Sequence, residues 1–138
     1  MKDYSKKRSL NANAYYWTLV SAMADALKIS NAAMHNMLLR RYGSPEVLEG
    51  KLLYVTMPDT IAAEQRALEA ETYHLKPTSD VRVGTDGTFW RTYVMLKGSS
   101  GYDAKEMARL IDGVVSECKE LGIETLSSEQ LERMKREL

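Results

Sequence analysis

The stretch KKRSLNANAYYW, residues 6–17, concentrates side chains with binding chemistry. Lys6, Lys7 and Arg8 are cations for phosphate, Asn11 offers an amide to phosphate or base edges, and Tyr15 offers a ring for stacking. Together these are the components of a sequence-tolerant nucleic-acid surface. The free amides of a helix N-terminus attract anions at the same place. Basic and aromatic residues at a helix start also occur in proteins that bind nothing, so the cluster admits both readings. Arg40 with Arg41, and Arg91 with Tyr93 on a later hairpin, supply further cations and a ring that could extend the track.

Catalytic chemistry finds less material. His35 and His74 are the only two histidines and Cys118 the only cysteine, with no HExxH and no paired spacing, which argues against a zinc enzyme. A ββα-metal nuclease needs more His and Asn than the chain supplies. Glu64, Glu69 and Glu71 could hold magnesium on paper. On a helix, however, Glu64 and Glu71 fall on one face and read as solvated surface. Cys118 sits on an apolar helical stripe, where cysteine behaves as a small apolar residue. KGSSG, residues 97–101, invites comparison with a phosphate loop, but GxxxxGK[ST] is not matched, and Asp103 places a carboxylate where phosphate would sit. A plain strand-to-helix loop is the better reading. No catalytic constellation, cofactor or metal is expected, and the chain reads as a non-enzyme.

The elements that must position these residues follow from periodicity. Helices are expected at about 9–27, 30–42, 59–70, 103–121 and 127–137, and strands at about 51–57, 80–84 and 88–96. In the first helix, Tyr16, Leu19, Val20, Met23 and Leu27 share a face opposite Asn11, Thr18 and Asp25, with Ser9 as N-cap. Asn13 turns toward the buried side, which predicts a structural, hydrogen-bonded amide. Asp86-Gly87 predicts a tight hairpin turn with positive φ angles. Beyond it, Trp90, Val94 and Leu96 alternate with Phe89, Arg91, Tyr93 and Met95. Met107, Leu110, Ile111, Val114, Cys118 and Leu121 form the stripe of the fourth helix. Asp103 with Glu106, and Ser127 with Gln130, make capping boxes. The fold class is α+β: a helix-dominated single domain, residues 1–138, with a small antiparallel sheet.

Length and composition fit one ordinary globular core. The N-terminus lacks the apolar stretch of a signal peptide, and the default location is the cytoplasm. Net charge is zero, yet residues 1–43 sum to +5, residues 44–76 to −3, residues 77–100 to +1 and residues 101–138 to −3. A basic N-terminal third on a neutral chain points to a nucleic-acid or other anionic partner, or else to a merely solvated terminus.

RSLNANAYYW resembles the RSL-x-x-N-x-x-x-W signature of the NinB family, the phage recombination proteins also called Orf, at Arg8, Ser9, Leu10, Asn13 and Trp17. Residues 99–127, SSGYDAKEMARLIDGVVSECKELGIETLS, resemble the family's Ser/Thr-containing loop, helix, Gly-Ile/Val step and Ser-capped last helix. The chain is also similar to small proteins that prophages of Gram-positive bacteria encode among replication and recombination genes. NinB proteins carry an additional α/β segment before the RSL motif, and residues 44–97 have no counterpart. The resemblance implies a non-enzymatic, homodimeric protein that favours single-stranded DNA. It also implies help in loading a recombinase onto strands coated with host single-strand-binding protein. The alternative is a protein-interaction module that binds a replication or nuclease partner through an exposed Met- or Tyr-bearing helix face, without touching DNA.

Overall fold

Apolar spacing on the first helix decides where the main core lies. The structure, a computed structural model, describes the backbone of residues 2–138 and the side chains of residues 11–138. Helix α1 spans Lys2–Leu27 and buries Ala12, Tyr16, Leu19, Val20, Met23 and Ala24. It begins well before Ser9, which is therefore inside the helix rather than its cap. Helix α2 (Asn31–Tyr42) starts at Ser30, whose Oγ accepts from the Ala33 amide, and buries Met34, Leu38 and Leu39. Helix α4 (Ala104–Glu120) contributes Met107, Leu110, Ile111, Val114 and Cys118 from the stripe expected for it. Leu27 and Leu121, placed on those stripes by periodicity, are instead exposed; each stands at the C-terminal end of its helix. Helix α5 (Ser128–Arg136) closes this core with Leu131. Full burial of each large aliphatic here contributes about 1.5–3 kcal/mol.

The approach of α2 to α4 depends on Gly113. A Cβ there would stand 2.4 Å from the Tyr42 ring, so only glycine admits the ring at this crossing. Both expected capping boxes form, at Asp103/Glu106 and at Ser127/Gln130. Bonding from the Asp103 amide, reinforced by Lys97, holds the Glu106 carboxyl down at about 2 against the smaller opposing effect of desolvation.

The strands divide more finely than the apolar run 51–57 suggests. A two-stranded hairpin, β1 (Val47–Leu48) with β2 (Lys51–Leu52), precedes β3 (Tyr54–Pro58). Helix α3 (Ile61–Glu69), capped by Thr60, leads to β4 (Leu75–Val83), which is longer than the expected 80–84 and contains a bulge between Pro77 and Val81. Strand β5 (Phe89–Met95) lies between β3 and β4 in an antiparallel sheet of order β3-β5-β4. The turn at Asp86-Gly87 differs from the expected one. Gly87 alone is left-handed (φ 83), and bonds from Gly87 N–H to Gly84 O and from Gly84 N–H to Thr88 O enclose a three-residue loop. That is a type I turn closed by a glycine bulge.

One face of the sheet packs on α3, where Ala67, Leu75 and Tyr93 form a second small core with Val55, Met57 and Met95. Leu96, just past β5, enters the helical core, and Val94 in the row of Trp90 packs against its edge, so the face opposite α3 is open only toward the Trp90 end and the β3 and β4 flanks. Among the described residues, no helix is long and apolar enough to cross a membrane.

Candidate functional site

Strand alternation determines the fate of the second half of the expected binding track. Arg91 and Tyr93 point to the α3 side of β5, and there they meet Arg40 of α2. Both terminal nitrogens of Arg40 donate to the Glu64 carboxylate at 2.8 Å, and its Nε donates to the Leu75 carbonyl at 2.8 Å. Tyr93 is buried and its hydroxyl donates to Glu64 at 3.4 Å. Burial, and then the Glu64 charge, raise the Tyr93 pKa. Arg91 donates to Asp59 and to the Thr78 carbonyl. Arg40, Arg91 and Tyr93 thus hold α2, α3 and the sheet together, with Arg40 and Tyr93 turned inward and the Arg91–Asp59 pair at the surface. Arg41 is more exposed but is paired with Glu117 at 2.7 Å. The bidentate Arg40–Glu64 pair satisfies both partners, which leaves Arg40 little to offer a phosphate, whereas Arg41 meets Glu117 through one nitrogen.

The first half of the track is also rearranged. Tyr15 is half-buried against the helical core and its oxygen accepts the Leu126 amide at 2.9 Å. It tethers the α4–α5 connection to α1 and is not a free stacking ring. Asn11 is exposed, as expected. Asn13 is exposed too, contrary to expectation, because Ala12 and Tyr16 occupy the inward positions around it. The side chains of Lys6, Lys7 and Arg8 lie outside the described residues, on the first turns of α1.

What the fold does bring together is the two ends of the chain. Asn13 lines a depression of about 390 Å³ with Ser99, Ser100, Tyr102, Asp103, Met107 and Leu138. Asn13 of the first block and Ser99, Ser100, Tyr102, Asp103 and Met107 of the second therefore share one surface feature although they are far apart in sequence. The Asp103 carboxylate already accepts from the first turn of α4, so the helix N-terminus here is not an open anion site, as the sequence indicated.

Behind α1 lies a polar chain that the sequence did not disclose. Tyr16 Oη and His35 Nδ1 are hydrogen-bonded at 2.7 Å inside the core. The His35 ring packs against Trp17 and stands edge-on to His74, with centroids 5.3 Å apart. Asn36 Nδ2 donates to the carbonyls of Leu68 and Ala70, so its Oδ1 is the acceptor for His74 Nδ1 at 2.6 Å. This fixes the proton of His74 on Nδ1 and leaves Nε2 as the acceptor, close to Gly98. Burial, with a smaller contribution from His74, lowers His35 to about 4, and burial lowers His74 as well. Two histidines far apart in sequence, both among apolar neighbours, carried no spacing signal for this contact. No group of three metal-ligating side chains exists among the described residues. Cys118 is buried and its thiol is raised to about 11 by desolvation, which keeps it protonated and unreactive near neutrality.

The opposite sheet face carries the rings and cations that are free. Tyr54, Thr56, Thr78, Asp80, Arg82 and Thr92 line a shallow depression of about 650 Å³, with Trp90 alongside. Sequence reasoning passed over Tyr54 and Arg82; placing them required the strand register. Comparison of the chain with protein-family models, with curated proteins and with solved structures returns no match.

Proposed function

We propose that this chain is a non-enzymatic DNA-binding accessory protein of phage or prophage origin, favouring single-stranded DNA and acting in recombination or replication. One observation supports the reading: Asn13, from the first block that resembles the NinB family, lines one depression with Ser99, Ser100 and Tyr102 of the second. The basic run Lys6-Lys7-Arg8 stands on the same helix as Asn13, one to two turns away along α1. Cations on a helix that leads to a largely apolar depression edged by Asn13, Ser99 and Ser100 suit a contact that is tolerant of sequence. The protein works as a homodimer, because linking two weak sites raises apparent affinity by about a hundredfold or more. Light scattering at micromolar concentration should give twice the mass of the chain. Its place of action is the cytoplasm of a bacterial host, and host single-strand-binding protein or a recombinase is the class of partner.

The test is fluorescence anisotropy with labelled single- and double-stranded oligonucleotides across a salt series. Replacing Lys6, Lys7 and Arg8 with Ala should make the log–log salt slope shallower by roughly 2, at about 0.7 per phosphate contact on a single strand. An unchanged slope and affinity would remove the basic run from the interface.

A second reading, a protein-interaction module without DNA contact, has its own observation. The β1–β2 hairpin exposes Val47, Leu48 and Leu52, and Tyr54 follows directly. An apolar surface of this kind would bind a partner with little response to salt.

A further inference from the structure

We infer that the outer face of the β3-β5-β4 sheet is a stacking platform for a single-stranded nucleic acid, with Tyr54 and Trp90 as the rings and Lys76 and Arg82 as the phosphate partners. The inference rests on the DNA-binding reading above and assigns it a second surface.

The register defines the platform row by row. Tyr54 of β3 pairs with Val94 of β5, which pairs with Lys76 of β4. Thr56 pairs with Thr92 in the next outward row. Pro58 pairs with Trp90, which pairs with Arg82. Directly paired residues share a face, so a ring and a cation flank each end of the platform, with Val94 packed against the helical core between Tyr54 and Lys76 and the threonines Thr56 and Thr92 in the middle. Tyr54 is 58% exposed and Trp90 37%, so both rings can be reached from solvent. Tyr54 on β3 and Trp90 on β5 are offset by four residues of register on neighbouring strands, a separation of about 14 Å. Bases of an extended strand can therefore reach both.

The platform is held in shape. The β4 bulge is pinned by Thr78 Oγ1 donating to the Thr92 carbonyl and by Thr92 Oγ1 donating to Asp80. Gly84 lets the Trp90 indole lie close over the backbone, since a Cβ there would be 3.0 Å from the ring nitrogen. Asp80 is the one carboxylate lining the depression, and Arg82 Nε lies 3.2 Å from it. The Arg82 side chain is still 80% exposed, so its terminal nitrogens remain available to solvent. Lys76 is exposed and makes no ion pair among the described residues. Rings stack with any base through their π-faces while cations follow the backbone, which is the combination single-strand binders use. An apolar protein partner would not call for the two cations.

The experiment titrates a labelled oligothymidylate into the full chain at low salt, reading anisotropy and tryptophan emission. Oligonucleotide should quench the emission, and Trp90→Phe should abolish the quenching while retaining most of the affinity, since a stacking ring remains. Tyr54→Ala should weaken binding roughly five- to 150-fold, the range for loss of one stacked base, and Tyr54→Phe should restore it. Lys76→Ala with Arg82→Ala should flatten the salt dependence. Binding by the parent with no quenching, and unchanged affinity in Tyr54→Ala, would overturn this site and leave the broader DNA-binding reading standing. Absence of binding by the parent would overturn both. If an apolar dye binds the parent but not Tyr54→Ala, and DNA disturbs neither ring, the face docks protein and the proposal is wrong.

Discussion

The two faces of the three-stranded sheet carry similar residue types put to opposite use. On the α3 side, Arg40, Arg91 and Tyr93 converge on Glu64 and Asp59, and their donors are satisfied within the protein. On the outer side, Tyr54, Trp90, Lys76 and Arg82 stand in solvent, with a single partial neutralisation by Asp80. Arg and Tyr are not binding residues by type. They are available for a ligand only where the fold leaves their polar atoms without internal partners, because a satisfied, partly desolvated ion pair gains little by exchanging one anion for another. The difference between the faces comes from the two-residue period of β5, which sends Arg91 and Tyr93 one way and Trp90 and Thr92 the other.

This contrast can be broken by experiment. The largest effect should come from the inner face: Arg40→Ala removes a bidentate pair and the bond to the Leu75 carbonyl, lowering unfolding free energy by about 3 kcal/mol. Chemical denaturation measures it, and an unchanged midpoint would mean the network is dispensable. DNA affinity of the folded variant should stay at the parent value.

Acid should act on the helical side next. His35 has a folded pKa of about 4, below its unfolded value near 6.5. Between those values the unfolded chain takes up a proton that the folded chain refuses, so stability must fall as pH is lowered from about 6.5 to about 4. Below that window the contribution of His35 is constant. Thermal melts across this range should show the decline, and a flat profile would contradict the buried, neutral histidine. The outer face has no histidine, so its affinity per folded molecule should not follow the same curve.

On the outer face, Tyr54→Ala should weaken single-strand binding by about 1–3 kcal/mol. Its melting should shift by no more than about 0.5 kcal/mol equivalent, as for an exposed residue without internal bonds. The reverse pattern, lost stability with intact binding, would erase the distinction between the faces. Smallest of all, Asn13→Ala should change stability by less than about 0.5 kcal/mol, because the exposed amide leaves no buried partner behind. A large loss in a melting curve would restore Asn13 as a structural anchor.

Much of the architecture was legible because local chemistry and tertiary packing agree. Asp103 with Glu106, Ser127 with Gln130, and the apolar stripe of α4 needed only spacing to be found. The sheet was less legible: β4 contains Pro77 and a bulge, both of which obscure alternation, and the first half of the strand was missed. Asn13 and Tyr15 lie on opposite flanks of the α1 stripe, where a helical wheel cannot say which flank a neighbouring element covers. The α4–α5 connection covers Tyr15, and nothing covers Asn13 in the same way. The same limit applied to β5, since period two separates two faces without naming the exposed one. The His35–His74 contact required the packing of α2 against the start of β4, which no local pattern contains.

On the proposed function, the chain binds single-stranded DNA electrostatically. The most direct measurement is the anisotropy of one labelled single-stranded oligonucleotide titrated with the full chain at two salt concentrations. The account predicts saturable binding at low salt that weakens steeply when salt is raised. Absence of binding at low salt, or an affinity indifferent to salt, would contradict it.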